Sequence, residues 1–179
     1  MSDKKLPDWK DIHTIVFDFD GVFTDNKVWV DENGVESVCC DRGDGLGFDI
    51  LHNFMKANSW APNCFILSKE KNPVVSVRAV KLRVDCFQSM SNKADYLAKY
   101  FDENNLKAEG LVYLGNDLND LAAMRSAGFS VAPKDAHKVI LEQADLVLPN
   151  KGGDGFVRAF IELLIGLENM SASEVAELF

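Results

Sequence analysis

What most restricts how this chain can fold is a rhythm of short apolar run, loop and amphipathic helical pattern, repeated along its 179 residues. The apolar runs predict strands at 14–19, 63–67, 111–114, 129–132 and 145–148. Helical spacing of the apolar residues predicts helices at 46–58, 73–81, 93–101, 120–127, 137–143 and 156–167. Short strands, apolar on both faces and separated by helices, belong to a parallel sheet covered on both sides. The expectation is a three-layer, Rossmann-like α/β fold, one domain over residues 1–179, with ligands beyond the carboxyl ends of the strands. One segment departs from the rhythm. Residues 27–30 and 35–38 alternate around Asn33-Gly34, which predicts a projecting β-hairpin, a flap at about 27–40, with both turn residues at positive φ.

Charge narrows the partners. A formal net charge of −9 argues against nucleic acid and anionic membranes. No apolar run nears the roughly 20 residues of a membrane helix, and residues 1–10 lack a signal-peptide core. Cys39, Cys40, Cys64 and Cys86 show neither a CxxC pair nor zinc spacing with histidine. A cytoplasmic protein with reduced thiols is expected.

The segment Ile15-Val16-Phe17-Asp18-Phe19-Asp20-Gly21-Val22-Phe23-Thr24-Asp25 carries the most chemical information. An apolar strand runs into two carboxylates two residues apart, then a glycine that frees the chain to turn. Such a loop can aim a side chain and a backbone carbonyl at one point, which suits a hard cation such as Mg²⁺. A solvated turn rich in Asp and Gly is the plainer alternative. Other strand ends add to the case. Residues 63–67 lead into Ser68, whose hydroxyl can hold a phosphate oxygen, and residues 111–114 lead into Gly115-Asn116-Asp117-Leu118-Asn119-Asp120. Lys93 opens a predicted helix, where a lysine opposes the helix dipole and is better explained by facing an anion. Singly these residues read as an N-cap, first-turn acids and a surface lysine. Four such groups at successive loops of one sheet do not.

In order, Asp18-Phe19-Asp20-Gly21-Val22-Phe23-Thr24-Asp25, Ser68, Lys93 and Gly115–Asp120 resemble the four motifs of the haloacid dehalogenase superfamily of phosphohydrolases. The resemblance implies that Asp18 is the nucleophile of an aspartyl-phosphate intermediate and Asp20 the general acid and base. It implies that Ser68 and Lys93 hold phosphoryl oxygens and that Mg²⁺ is bound by Asp18, Asp20, Asn116 and Asp117. The fourth motif usually begins Gly-Asp; Asn116 at that position offers an oxygen but no charge, unless Asp117 or Asp120 compensates.

No stretch is long enough for a separate cap domain. The chain looks like the capless branch that contains 3-deoxy-D-manno-octulosonate 8-phosphate and nonulosonate 9-phosphate phosphatases. That likeness implies a homotetramer in which the hairpins form a central barrel and neighbouring subunits shape the site. Asp41-Arg42-Gly43-Asp44-Gly45-Leu46-Gly47, Arg78 and the run from Gly152 to Arg158 match the branch. Arg42, Gly43, Asp44, Gly45, Glu70, Arg78, Lys81 and Asn119 are expected to bind the substrate. Guanidinium groups suit a sugar-acid carboxylate or phosphate, and residues 69–93 carry a net +4 within an acidic chain. Glu70, where octulosonate phosphatases carry arginine, together with Lys81, leans toward a nine-carbon sugar acid. A phosphorylated sugar acid of eight or nine carbons is therefore the expected substrate. Two other functions compete. One is a non-catalytic assembly module like the domain fused to some acylneuraminate cytidylyltransferases. The other is a phospho-receiver domain, which would need an aspartate where Ser68 stands.

Overall fold

The computed structural model describes residues 4–179. Six strands form one parallel sheet in the order β5-β4-β1-β6-β7-β8, comprising β1 Thr14–Phe17, β4 Asn63–Leu67, β5 Asp85–Phe87, β6 Leu111–Leu114, β7 Phe129–Pro133 and β8 Leu146–Leu148. The three-layer α/β expectation holds. β1 is central, pairing residue by residue with β4 on one side and β6 on the other. The chain steps outward through β4 and β5, then crosses to β6. The loops after β1 and β6 therefore diverge at a topological switch point, where open α/β sheets bind ligands.

The side-chain alternation of a strand divides the core in two. Ile15 and Phe17 of β1 join Ile66, Val112, Leu114 and Val131 beneath α1 Arg42–Ala57, α2 Val74–Leu82 and α6 Phe156–Leu164. Val16 points the other way, into a layer with Phe65, Leu67, Tyr113 and Ala132 beneath α3 Lys93–Asn104, α4 Leu121–Ser126 and α5 Lys138–Gln143. Burying each such large apolar side chain stabilises the fold by roughly 2 kcal/mol. A last short helix, α7 Ala172–Ala176, starts at a Ser171–Glu174 capping box, and Leu178 accepts a hydrogen bond from Asn53 on α1.

Several boundaries differ from expectation, each for a local reason. The first strand ends at Phe17 rather than 19, because Asp18 and Phe19 already turn into the loop. Helix α1 begins four residues early, at Arg42. The Asp41 side chain accepts from Gly43 N (2.6 Å) and caps a glycine-rich first turn that propensity disfavours. Helix α6 stops at Leu164, ahead of Gly166 at φ 67°. Strand β5 was absent from the sequence-based reading.

The hairpin exists, with β2 Trp29–Val30 antiparallel to β3 Glu36–Ser37. Its turn corrects the expectation. Gly34 N donates to Asp31 O (3.0 Å) and Asp31 N to Val35 O (3.1 Å), which encloses a three-residue loop. Only Gly34 takes positive φ (77°), and Asn33 does not. This is a type I turn followed by a left-handed glycine, with the Asp31 carboxylate accepting from Asn33 N and Val35 N. Val28, Trp29, Val30 and Val35 stand exposed on it, Trp29 at 76%.

Candidate active site

Three loops at the carboxyl end of the sheet, after β1, β4 and β6, enclose a cavity of about 440 Å³ lined by Asp18, Asp20, Asn26, Ser68, Lys69, Glu70, Lys71, Asn116, Asp117 and Asn119. Asp18 stays hydrogen-bonded to the sheet through its N–H to Leu114 O (2.9 Å). Thr24 shapes the loop that follows, its Oγ1 accepting from Gly21 N and Asn26 N. Gly21 sits at φ 77°, and a Cβ there would overlap the Asn116 amide, so the first and fourth motifs interlock. Gly153 N donates to Val22 O (3.1 Å) and staples the same loop from the far end of the chain.

Behind the cavity lies a buried charge chain. Lys93 Nζ is 2.6 Å from Asp18 Oδ1 and 2.7 Å from Asp120 Oδ1, and all three side chains are almost wholly buried. The lysine at the start of α3 thus faces anions of the protein itself, not solvent. Asp120 is saturated: Oδ1 accepts from Lys93 and from the Tyr113 hydroxyl (2.8 Å), Oδ2 from the Asn116 and Asp117 N–H groups. Asp120 therefore has no acceptor left for a cation. Asp18 Oδ1 also accepts from Phe19 N (2.7 Å).

Burial pushes the Asp18 carboxyl well up and Asp120 adds to it, against the pull of Lys93. Burial works against the Lys93 ammonium too, but Asp18 and Asp120 outweigh it and hold its pKa above the ordinary lysine value. Two carboxylates sharing one ammonium leave a net negative charge in a low-dielectric pocket, a setting that draws a cation. Asp20, nearer the mouth, is raised by burial first, then by Glu70 and Glu36. A carboxyl whose proton is held more tightly than usual suits a general acid. Ser68 is buried, with its Oγ accepting from Glu70 N (3.0 Å). Its O–H remains a donor for a substrate oxygen.

Asp18, Asp20, Asn116 and Asp117 all line this one cavity, although among the described residues no three His, Cys, Asp or Glu side chains are clustered tightly enough to hold a metal ion by themselves. Asn116 Oδ1 is buried and has no hydrogen-bond partner among the described residues. An orphaned hard oxygen among carboxylates fits a divalent cation of the Mg²⁺ type.

Not every expected site residue gathers here. Arg42, Gly45, Arg78 and Lys81 line a separate groove of about 430 Å³ with Leu46, Asp49 and Leu82, between α1 and α2. Gly43 lies beside Asp41 in the first turn of α1. Asp44 is fully buried, and its Oδ1 accepts from Arg158 N (2.9 Å), capping α6 where Gly155 has no side chain to do so. Lys69, Lys71 and Asn26 line the first cavity and had not been singled out; the two lysines were visible only as part of a local excess of positive charge. A smaller recess of about 250 Å³ adjoins it, shared by Asp20, Asn26, Glu36, Glu70 and Asn72, where Asn72 Nδ2 donates to Glu36 Oε2 (3.2 Å) and ties the flap to the loop after β4.

A parallel α/β sheet with an acid pair after the central strand and a lysine bridging to the fourth loop defines a phosphohydrolase-type site. Comparison with known proteins agrees. Residues 63–160 match the family model of haloacid dehalogenase-like hydrolases. The chain is 28% identical over 165 residues to the 3-deoxy-D-manno-octulosonate 8-phosphate phosphatase KdsC of Salmonella typhi, covering 87% of this chain and 80% of that one. The crystal structure of a protein from Streptomyces avermitilis MA-4680, described as a HAD family hydrolase, superposes with a TM-score of 0.83 at 37% identity over 92% of this chain and 97% of that one. The 3-deoxy-D-manno-octulosonate 8-phosphate phosphatase from Moraxella catarrhalis, solved with magnesium, phosphate and KDO, superposes with a TM-score of 0.82 at 25% identity, over 96% of this chain and 95% of that one. The chain belongs to the haloacid dehalogenase-like hydrolases, and within them it is a phosphatase.

Proposed function

We propose that the chain hydrolyses the phosphomonoester of an eight- or nine-carbon 2-keto-3-deoxy sugar acid, with Mg²⁺, through a phosphorylated Asp18. The observation that carries the reading is the buried Asp18–Lys93–Asp120 chain opening onto a cavity that also holds Asp20 and Ser68. A carboxylate attacking a phosphate dianion meets strong repulsion. A bound cation, held by the Asp18 and Asn116 side chains with Asp20 and Asp117, would neutralise that charge. Lys93 holds Asp18 in place and lowers its cost of ionisation. The Asp18 carboxylate attacks phosphorus, the ester P–O bond breaks, and Asp20 gives its proton to the departing sugar oxygen. Asp20 then takes a proton from water as that water displaces Asp18 and frees phosphate. Ser68 donates to a phosphoryl oxygen throughout.

The groove between α1 and α2 supports a second part of the reading. Arg42, Arg78 and Lys81 fit a carboxylate chemically, yet they line a different cavity from Asp18. A homotetramer lets a neighbouring subunit bring these cations to the open catalytic cavity, and the exposed apolar flap offers a surface for such an assembly. A purely structural assembly module is the weaker reading, because burying Asp18 and Lys93 serves no scaffold. A cytoplasmic, single-domain enzyme acting on small molecules fits all of this.

A phosphate-release screen over eight- and nine-carbon keto-sugar phosphates, with and without Mg²⁺, tests the proposal. Turnover should require the cation and fall by roughly 10³-fold or more in Asp18→Asn. Turnover retained in that variant would sink it.

A further inference from the structure

The fourth motif of this chain supplies an oxygen where its negative charge would be expected, and Asp120, the buried carboxylate bonded to it, offers no substitute. Asn116 is 6% exposed and rigidly set. Its N–H donates to Asp120 Oδ2 (3.0 Å), its carbonyl accepts from His137 N (2.8 Å), and its amide nitrogen packs on Gly21. Its Oδ1 is left as a buried acceptor without a partner. Asp120, the nearest buried carboxylate, cannot turn toward a cation, because all four of its hydrogen bonds are already made within the protein. Asp117 spends Oδ1 on Leu118 N (2.7 Å). Asp18 shares its charge with Lys93. The buried part of the site, Asp18, Asp120 and Lys93, therefore carries one net negative charge, where an aspartate at 116 would bring two.

Cations of the Mg²⁺ type are bound through one or two carboxylates together with substrate phosphate. Here the fourth loop adds to the buried Asp18 only a neutral oxygen and the partly exposed Asp117, so the phosphoryl group supplies much of the remaining charge. The phosphoryl group in turn meets Asp18 and Asp20 and gains from the cation. We propose, on the footing of the phosphatase reading above, that Asn116 makes cation and phosphate binding mutually dependent: each binds weakly alone and firmly together. Linkage requires the two couplings to be equal.

Free Mn²⁺, followed by electron paramagnetic resonance, reads this without turnover. In the full chain, saturating inorganic phosphate should tighten Mn²⁺ binding roughly tenfold or more, and Mn²⁺ should tighten phosphate binding by the same factor. Asn116→Asp should bind Mn²⁺ roughly tenfold more tightly without phosphate, with the coupling reduced to a few-fold. Asn116→Ala, which adds no charge to the core, should weaken Mn²⁺ binding in the presence of phosphate, and it serves if the aspartate variant fails to fold. Firm Mn²⁺ binding by the unaltered chain without phosphate, or an unchanged affinity in the substituted chains, would overturn the proposal. Absence of Mn²⁺ binding in every chain, with phosphate or without, would instead remove the phosphatase reading, and this proposal with it.

Discussion

Two cavities of nearly equal size, about 440 and about 430 Å³, lie on this molecule and are built in opposite ways. The first sits where the central strands end, and its charges are buried, paired and fixed by the sheet: Lys93 between two carboxylates, Asp120 with every oxygen engaged. The second is a groove between helix faces. Arg42 and Lys81 enter no ion pair among the described residues, and Arg78 donates only to the Asp41 carbonyl (2.8 Å). Reactive groups need a geometry that a packed core alone can hold. Groups that recognise a substrate's charge can wait on flexible side chains until it arrives. On the proposed reading the chain divides chemistry from recognition, and each half should fail differently.

The first cavity breaks hardest. Lys93→Met leaves Asp18 and Asp120 buried with no cation between them, and removing one partner of such a buried set costs about 3–5 kcal/mol. Thermal unfolding should show a large loss of stability, and phosphate release should vanish in whatever remains folded. Arg78→Ala strikes the second cavity. Its loss should raise KM roughly tenfold, the worth of a charge-assisted hydrogen bond, and leave kcat and thermal stability nearly unchanged. If a neighbouring subunit supplies the arginine, mixing Arg78→Ala with Asp18→Asn chains after dissociation should recover activity; no recovery would place recognition within one subunit.

Asp44 lines neither cavity and sharpens the contrast. Burial pushes its carboxyl up to about 6, above the usual 3.8. The folded state therefore holds this proton more tightly than the unfolded chain, so the contribution to stability is complete below pH about 3.8 and is lost as pH rises through about 6. The loss is on the order of 3 kcal/mol. Asp44→Asn should keep the acceptor for Arg158 N and flatten the pH dependence of the melting temperature over that window. An unaltered slope would show that the carboxyl is not the source.

Most of the frame was legible because apolar runs and helical spacing report burial directly, and β4 and β6 fell on their expected residues. β5 was not, because Asp85–Phe87 is a three-residue edge strand, partly exposed, too short to carry a pattern. The flap was visible in Asn33-Gly34, but its loop length depends on the Asp31 carboxylate, whose bonds no dipeptide signal encodes. The loops that line the first cavity stood out because their residue types are rare together. What spacing could not reveal was distance. Arg42, Arg78 and Lys81 were grouped with Asp18 by chemistry, and the packing of α1 on α2 put them in another cavity. Tyr113, the deepest partner of Asp120, read as an ordinary core aromatic.

The bonds from Gly153 to Val22 and from Arg158 to Asp44 join the chain's first quarter to its last. During synthesis the loop after β1 leaves the ribosome long before residues 153–158 exist to pin it. The Gly153 anchor therefore reaches that loop only after residues 153–158 have been made.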